Sequence, residues 1–486
     1  MKTYGIICEY NPFHNGHIYQ IEETRKNGAD HIVAIMSGNY VQRGDVAIVD
    51  KFRRAQIAVQ HGADLVIEMP VAYSVASAEM FARAGVMMLG ALGCVDGISF
   101  GSECGDIELL RNAAMATFSA ATPEKIKPLL EQGMNYPEAI QKCILDEHGP
   151  IIAGVFDSSN NILAVEYLRA IKVLGLEMDT FTVKRKGAVH DSDEPSDGIA
   201  SASYLREMIE NGEDISAYVP KEMADAVAEY DDEEHLAYFD NLERELMYIL
   251  RTVSPQYIAD TPDVAQGLEN RILQAGRAAN SLDHFLEIVD TKRYTQAKFR
   301  RVLLNMFLGV RKTDLQAPPA YGRILAFNER GTEIIKAAAE KAEKEEKKAE
   351  AKNKQRLNNV KAALLVAVVY IIVYLVGRFI WCEFSQSSFI GWLFTTRPSG
   401  EHSYLYGWLL SSNLFWYAMA ISVIPALLGK SKFSLVTTAA FMLGIIFGMI
   451  FGPYPEGAAI GHDHYGWAIW GGIYSISIIV RILAER

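Results

Sequence analysis

The stretch YGIICEYNPFHNGH, residues 4–17, joins a short apolar run to a turn that contains Pro12, two histidines and Gly16. The run YGIIC is typical of a buried strand, and Pro12 fixes the turn and keeps Asn11 extended. A helix beginning near His17 would direct its free N–H groups and the positive end of its dipole toward this turn. The stretch therefore predicts a strand–turn–helix unit that binds a phosphate group.

His14 and His17 lie three residues apart, so both imidazoles can face the same anion. They can donate hydrogen bonds to the charge that develops on a phosphate in a transition state, and Gly16 lets a phosphate approach the backbone closely. A histidine pair at this spacing could instead bind a metal, but no third ligand is evident nearby. A purely structural role in the turn is the other reading. The strand–HxGH–helix context favours phosphate chemistry, with both histidines as catalytic residues.

Residues 4 to 186 alternate short β-rich runs with helical patterns, which predicts a Rossmann-like, doubly wound parallel α/β sheet. Ligands of such sheets bind beyond the carboxyl ends of the strands, where the HxGH turn also lies. After YGIIC, the predicted strands are HIVAIMSG (31–38), ADLVIEMP (63–70), VDGISFGS (95–102) and TFTVKRK (180–186).

The overall composition excludes several classes of protein. A length of 486 residues predicts two to four domains. The net charge of −12 argues against general nucleic-acid binding, so any such contact needs a local basic patch. The N-terminal apolar run is too short for a signal peptide. The five cysteines lack any CxxC pair and indicate a reducing compartment, without a disulfide framework or zinc site; they are Cys8, Cys94, Cys104, Cys143 and Cys382.

Near residue 336 the composition changes sharply. Residues 336–356, KAAAEKAEKEEKKAEAKNKQR, predict a solvated helical linker. Residues 362–381 are long and apolar enough to span a bilayer, and three more candidate spans follow near 404–428, 434–452 and 466–483. A buried helical domain is the other reading. Lys and Arg residues are concentrated before the first span and are found again between the second and third spans and near the C-terminus. The positive-inside rule therefore places both termini in the cytoplasm.

Seven motifs in the soluble part together resemble the tRNA(Met) cytidine acetate ligase family of HxGH nucleotidyltransferases over residues 1 to about 335. The resemblance implies activation of acetate with ATP as acetyl-adenylate, and acetylation of N4 of the wobble cytidine of elongator tRNA(Met). ATP would be the substrate, with Mg²⁺, and acetate the co-substrate. The motifs, in chain order, are ICEYNPFHNGH, MSGNYVQRG, ADLVIEMP, FGSE, NNILAVEYL, VKRKGAVHD and IASASYLR.

The resemblance also implies a set of ATP-binding residues. It assigns a phosphate clamp to Arg185, and to IASASYLR a hydroxyl-rich helix start that grips the β- and γ-phosphates with Arg206. Asn160 competes with Asn161 for the nucleotide-binding asparagine. The predicted ATP-binding residues are Ile7, Cys8, Glu9, Tyr10, Asn11, Pro12, Phe13, His14, Asn15, Gly16, His17, Ile18, Tyr19, Gln20, Gly101, Asn161, Arg185, Ser201 and Arg206.

Residues 210–335 are predicted to be all-helical, and residues 291–312 carry a basic cluster without an acidic residue. In an acidic protein such a cluster is typical of a phosphate-backbone contact, although an amphipathic helix with a solvated basic face has the same pattern. We expect adenylation to be independent of this cluster. The predicted tRNA-binding residues are Lys292, Arg293, Lys298, Arg300 and Arg301.

The sequence thus predicts a nucleotide-binding domain over 1–210, a tRNA-binding helical domain over 211–335, a linker over 336–360 and a membrane region over 361–486. The predicted function is that of an ATP-dependent tRNA-modifying ligase tethered to the inner face of a membrane, and a chain ending near Gly331 is expected to be active. Two alternatives remain open here: an adenylyltransferase for a small cofactor that ignores tRNA, and a membrane protein that senses ATP without turnover.

Overall fold

A computed structural model describes residues 2–120, 122–186, 198–265, 267–291, 294–384, 413–451 and 466–484. The chain divides into two compact units, Met1–Ala342 and Glu343–Arg486.

The first unit is built on a six-stranded sheet in the order β7-β6-β1-β2-β5-β8. Neighbouring strands pair in parallel except for β8, which is antiparallel to β5 at one edge. A separate antiparallel hairpin, β3–β4, follows β2. The strands are β1 (Thr3–Cys8), β2 (His31–Ser37), β3 (Tyr40–Val41), β4 (Asp45–Val46), β5 (Leu65–Met69), β6 (Gly97–Ser102), β7 (Asp179–Lys184) and β8 (Arg323–Phe327).

Helices cover both faces of this sheet and form a further layer. Residues of β1 and β2 are buried along their whole length, as expected for parallel strands between two helical layers. The helices up to the end of the helical domain are α1 (Asn15–Lys26), α2 (Lys51–Gln60), α3 (Val71–Ser74), α4 (Ala78–Ala91), α5 (Ile107–Ala120), α6 (Pro123–Glu131), α7 (Tyr136–His148), α8 (Pro150–Ala153), α9 (Ser159–Leu174), α10 (Ala202–Glu210), α11 (Lys221–Asp232), α12 (Glu243–Thr252), α13 (Pro255–Ala259), α14 (Leu268–Ala278), α15 (Leu282–Val289) and α16 (Gln296–Leu308).

The hydrophobic cores show where the layers meet. Helices α10 and α11 pack on the same face of the sheet as α1 and α2, because Leu205 and Met223 share a core with Ile6 and Ile32. The core of the helical domain contains residues from Phe239 to Met306, together with Val75. The helical layer therefore begins near Phe239, whereas the sequence predicted a boundary at residue 210.

The prediction that residues 210–335 are entirely helical is wrong at Arg323–Phe327. These residues form β8 and cover the open edge of β5, where unpaired backbone groups would otherwise remain exposed. After β8, Asn328 donates its N–H to the Asp64 carbonyl at 3.0 Å, and its side chain accepts the Gly331 N–H at 3.0 Å. Helix α17 (Glu329–Phe384) begins at the residue directly after Asn328.

The second unit contains the rest of α17 and the helices α18 (Asn413–Leu427), α19 (Ser431–Phe451) and α20 (Gly466–Ala484). Aromatic side chains form its core, among them Tyr370, Phe415, Phe441 and Trp470. Within the described residues, one helix, Glu329–Leu375, is long and apolar enough to cross a membrane, and α18, α19 and α20 contain shorter apolar stretches. Parts of the second and third predicted spans lie outside the described residues, so the four-span arrangement stays a prediction.

Candidate active site

A cavity of about 190 Å³ opens at the carboxyl ends of the parallel strands, where ligands of doubly wound sheets bind. The ends of four strands, or the loops after them, contribute to it, together with helices α1, α4, α9 and α10. Its lining consists of Ile7, Cys8, Glu9, Tyr10, Asn11, His14, His17, Gln20, Gln42, Arg43, Phe81, Phe100, Gly101, Asn160, Leu163, Tyr167, Arg185, Ser201, Ala202, Ser203 and Arg206.

His14 is the N-cap of α1, and His17, the third residue of the helix, completes its capping box. The Nδ1 atom of His14 accepts the Gly16 N–H at 3.1 Å, and the Nδ1 atom of His17 accepts the His14 N–H at 3.2 Å. A neutral imidazole that accepts at Nδ1 carries its proton on Nε2. Both rings line the cavity, and each carries an Nε2–H donor.

The environment keeps both rings neutral. Burial lowers the pKa of His14 to about 3, with the Arg185 guanidinium adding to the effect. Burial also lowers the pKa of His17 well below its usual range, as do His14 and Arg185. The two rings stack with centroids 3.7 Å apart, a distance at which two positive charges would repel strongly. Both rings are therefore neutral at pH 7 in this cavity.

Two buried aromatic rings hold the histidines in place. Tyr10 contacts the edge of the His17 ring with centroids 4.7 Å apart, and Phe13 lies 5.5 Å from the same ring. Tyr10 has a φ of +50°, a conformation that non-glycine residues seldom adopt and that occurs most often at functional sites. The turn thus places the Tyr10 ring against His17, one of the two histidines that line the cavity.

Three arginines line the same cavity: Arg43, Arg185 and Arg206. Arg206 donates from Nη1 to the Asn11 carbonyl at 3.0 Å, and Arg43 donates from Nη2 to the Ser159 hydroxyl at 3.2 Å. Among the described residues, the buried Nε of Arg185 has no hydrogen-bond partner. Burial lowers the pKa of Arg185 and of Arg206, but guanidinium groups stay charged at neutral pH. The cavity therefore suits a polyanion such as a nucleoside triphosphate.

Arg54 fixes the strand ends beneath the cavity. It is fully buried, its Nε donates to the Val49 carbonyl at 2.9 Å, and its terminal nitrogens donate to the carbonyls of Glu9 and Gly38. Burial lowers the pKa of Arg54 to about 10, so it remains charged at neutral pH. One side chain thus ties the residues after β1 to the residues after β2.

Asn160 and Asn161 have different positions. Asn160 lines the cavity and donates from Nδ2 to Glu103 Oε1 at 2.6 Å. Asn161 is buried, and its Oδ1 accepts the N–H groups of Glu103 and Cys104 at 3.0 and 3.2 Å. Asn161 therefore holds the loop after β6, and Asn160 is the one of the two that lines the cavity.

The structure brings most of the predicted ATP-binding residues together. Residues 7–11, His14, His17, Gln20, Gly101, Arg185, Ser201 and Arg206 line the cavity. Gly16 and Tyr19 line a small adjoining pocket with Lys186. Pro12, Phe13, Asn15, Ile18 and Asn161 are not among the residues lining either space.

Sequence reasoning gave no role to Gln42 and Arg43, which line the cavity. They belong to the motif MSGNYVQRG, immediately after β2. Their position at the carboxyl end of a strand beside β1 is the signal that could have found them. The apolar lining residues Phe81, Phe100, Leu163 and Tyr167 have ordinary core patterns in the sequence and carry no such signal.

The predicted tRNA-binding residues of α16 are partly paired within the protein. Arg300 lies 3.4 Å from Asp45, and Arg301 lies 2.7 Å from Asp263. Lys298 lies over the Tyr294 ring at 4.5 Å. Lys292 and Arg293 lie outside the described residues. A tRNA contact through this segment stays a prediction.

Comparison with known proteins agrees with this geometry. The family model for HIGH Nucleotidyl Transferase matches residues 1–375. A tRNA(Met) cytidine acetate ligase of Alkaliphilus metalliredigens is 36% identical over 367 residues, covering 70% of this chain and 86% of the relative. One of Thermoanaerobacter sp. is 37% identical over 354 residues, covering 70% and 87%. The chain belongs to the tRNA(Met) cytidine acetate ligase family.

Solved structures of this ligase type show the same fold. The apo crystal structure of Thermotoga maritima TmcAL has a TM-score of 0.65 and 31% identity, covering 70% of this chain and 84% of that one. A second crystal form, bound with alpha-thio ATP, has a TM-score of 0.63 and 30% identity with the same coverage. The resemblance predicted from the seven motifs is confirmed.

Proposed function

We propose that this chain is an ATP-dependent ligase that acetylates the wobble cytidine of elongator tRNA(Met) at N4, with acetate as the acetyl donor. The names of its relatives support the reaction class, and the neighbour bound with alpha-thio ATP supports the nucleotide. The observation that carries the proposal is the stacked, neutral pair His14–His17 facing a cavity lined by Arg43, Arg185 and Arg206.

In the first step, a carboxylate oxygen of acetate attacks the α-phosphorus of ATP. The bond from that phosphorus to the bridging oxygen breaks, and pyrophosphate leaves with the electron pair. The Nε2–H groups of His14 and His17 donate to the non-bridging oxygens of the α-phosphate, where negative charge increases in the transition state. Arg185 and Arg206 hold the departing phosphates. The product is acetyl-adenylate.

In the second step, the N4 amine of the cytidine attacks the carbonyl carbon of acetyl-adenylate. The bond from that carbon to the bridging oxygen breaks, AMP leaves with that oxygen, and the amine loses one proton. The acyl-adenylate mechanism needs a water-poor site, because water would hydrolyse the intermediate. The apolar side chains of Phe81, Phe100 and Leu163 in the cavity lining support this requirement.

Mg²⁺ enters the proposal as a companion of ATP. Within the residues that the structure describes, no group of three or more His, Cys, Asp or Glu side chains could hold a metal ion. Mg²⁺ commonly keeps several waters and binds substrate phosphates rather than a protein cage. No step of the proposal is assigned to it.

We further propose that the second unit tethers the enzyme to the inner face of a membrane, with the catalytic unit and both termini in the cytoplasm. The helix Glu329–Leu375 supports a span. Large apolar side chains on the outside of the second unit support lipid contact; they include Leu365, Leu375, Leu428, Leu435 and Ile476, each more than half exposed. Helix α17 begins directly after β8, at the amino ends of the parallel strands.

ATP–pyrophosphate exchange with a panel of small carboxylic acids, with and without tRNA, tests the proposed function. We expect exchange that requires acetate and proceeds without tRNA, and acetyl transfer that requires tRNA(Met). Exchange with a phosphorylated small acceptor and indifference to tRNA would instead identify a cofactor adenylyltransferase. ATP binding without any exchange would identify a sensor.

A further inference from the structure

The hairpin β3–β4 lies between the cavity and the helical domain. Its turn residues Gln42 and Arg43 line the cavity. The next residue, Gly44, packs directly on α16: a Cβ atom there would lie 2.5 Å from the backbone nitrogen of Arg301. The hairpin thus touches the cavity on one side and the basic helix on the other.

The HxGH loop holds the hairpin from the cavity side. Asn11 donates from Nδ2 to the Val46 carbonyl at 3.2 Å, and its Oδ1 accepts the Ile48 N–H at 2.9 Å. Glu9 accepts the Gln42 N–H at 2.7 Å. Two of these hydrogen bonds fix the hairpin, and the third fixes the residues directly after it, to the strand–turn segment that carries the histidines.

Asp45, the first residue of β4, lies between two arginines. Its Oδ2 is 3.8 Å from Arg206 Nε, and its Oδ1 is 3.4 Å from Arg300 Nη2. The side chains of Asp45, Arg206 and Arg300 are 21%, 23% and 31% exposed, so solvent screens this ion triad less than a surface pair. The Arg300 guanidinium also lies over the Phe239 ring at 4.2 Å.

We propose that Asp45 is a positioning residue that orients Arg206 toward the β- and γ-phosphates of ATP, and that Arg300 of the helical domain holds Asp45 in that orientation. Burial lowers the pKa of Arg206, and the nearby Asp45 carboxylate is the strongest of the influences that raise it again. The proposal rests on the proposed function, in which Arg206 binds phosphate.

It follows that Arg300 contributes to nucleotide binding before any tRNA arrives. The sequence alone led to the opposite expectation, that adenylation is independent of the basic cluster. Arg301 lies next to Arg300 on the same helix but pairs with Asp263 instead, at 2.7 Å. It therefore supplies a matched control on the same element.

Titration of the full chain with ATP and, separately, with AMP tests the proposal, because AMP lacks the phosphates that Arg206 would reach. We expect Asp45→Asn and Arg300→Met each to raise the Kd for ATP about fivefold or more and to leave the Kd for AMP unchanged. The double variant should bind ATP no more weakly than Asp45→Asn alone, because the two residues act through one another. Arg301→Met should keep the wild-type ratio of the two dissociation constants.

Equal losses of ATP and AMP affinity in Asp45→Asn and Arg300→Met would show a general structural role and overturn the proposal. So would an unchanged ATP Kd in either variant, or the same change in Arg301→Met. If Asp45→Asn fails to fold, Arg300→Lys provides the test. A Kd for ATP near the wild-type value in Arg300→Lys supports the charge interaction with Asp45, and a loss of ATP affinity equal to that of Arg300→Met contradicts it. Acetate-dependent exchange by the wild-type chain tests the proposed function separately, because the ATP and AMP titrations need neither acetate nor tRNA.

Discussion

His14 and His17 use the same ring atom for the same purpose, because Nδ1 of each accepts a backbone N–H of the turn that carries them. The capping bonds of α1 therefore set the tautomer of both rings and leave an Nε2–H on each. Helix capping and the proposed catalysis depend on the same two side chains.

We predict that His14→Ala and His17→Ala each lower the rate of acetate-dependent exchange about a hundredfold or more, as for loss of a transition-state donor. Glutamine should retain more activity than alanine, because its amide nitrogen can take the place of Nε2. His284→Ala, in the helical domain, should be near wild type. If the variants lose ATP binding while bound ATP reacts at the normal rate, the histidines are ground-state ligands.

The lowered pKa values predict how stability depends on pH. Between the unfolded-state pKa of about 6.5 and the folded-state value of about 3 for His14, the unfolded chain binds the extra proton. Folding stability contributed by this neutral histidine is thus present above pH 6.5 and falls as the pH decreases, by about 1.4 kcal/mol per unit. Denaturant titrations at pH 7, 6 and 5 should show a steeper decrease for wild type than for His14→Gln; parallel decreases would contradict the burial of a neutral ring.

Arg54→Met should destabilise the first unit by about 3 kcal/mol or more, because it removes the donor to four backbone carbonyls, those of Glu9, Ser37, Gly38 and Val49. The neighbouring Arg53 forms a more exposed ion pair with Glu229 at 3.3 Å, so Arg53→Met should change the free energy of unfolding by only about 0.5 kcal/mol. Denaturant unfolding of both variants makes the comparison. Similar values for the two would argue against Arg54 as the link between the strand ends.

Gly44→Ala should cost more stability than Gly309→Ala. Both glycines have positive φ, +78° and +72°, but a Cβ on Gly44 meets the backbone of α16 and a Cβ on Gly309 meets nothing within 4 Å. Backbone strain of about 1 kcal/mol is common to both, and the clash adds to it at Gly44 alone. Equal melting temperatures would show that the hairpin does not pack on α16 as described.

The position of the end of the catalytic unit is also testable. Ile334 is fully buried in the core beneath the sheet, and Glu333 lies 2.8 Å from His31. A chain ending near Gly331 loses both, so we predict that it is less stable than one ending at Ala342, which should be soluble and still acetylate tRNA. Inactivity of the longer truncated chain, with activity only in the full-length membrane fraction, would show that the second unit is part of the enzyme.

The strands and the HxGH turn, which depend on local sequence patterns, were predicted correctly. Each β-rich run identified from the sequence became a strand of the sheet, and the HxGH turn lies at the carboxyl end of β1 as expected. The hairpin β3–β4 was missed because two-residue strands have no periodicity to detect. Strand β8 was missed because its pairing with β5 is a tertiary contact across more than 250 residues. Arg54 was missed because arginines are seldom buried, and only the carbonyls around it explain its burial.

The pairing of Asp45 with Arg206 and Arg300 was equally hidden. A basic cluster looks the same in sequence whether its side chains reach solvent or a carboxylate from a distant loop, and Asp45 lies 255 residues before Arg300. Only the folded structure shows whether a basic side chain is exposed to solvent or paired with a carboxylate. The prediction of membrane spans, in contrast, rests on composition alone, and one described helix, Glu329–Leu375, is long and apolar enough to cross a membrane.

The central claim is that acetate attacks the α-phosphorus of ATP before its acetyl group reaches the tRNA. The most direct measurement is mass spectrometry of the products formed from ¹⁸O-labelled acetate, ATP and tRNA(Met). Attack by a carboxylate oxygen and later cleavage of the acyl–oxygen bond must leave one ¹⁸O atom in AMP and none in pyrophosphate. Label in inorganic phosphate with release of ADP would show an acyl-phosphate route, and unlabelled AMP with acetylated tRNA would contradict an acetyl-adenylate.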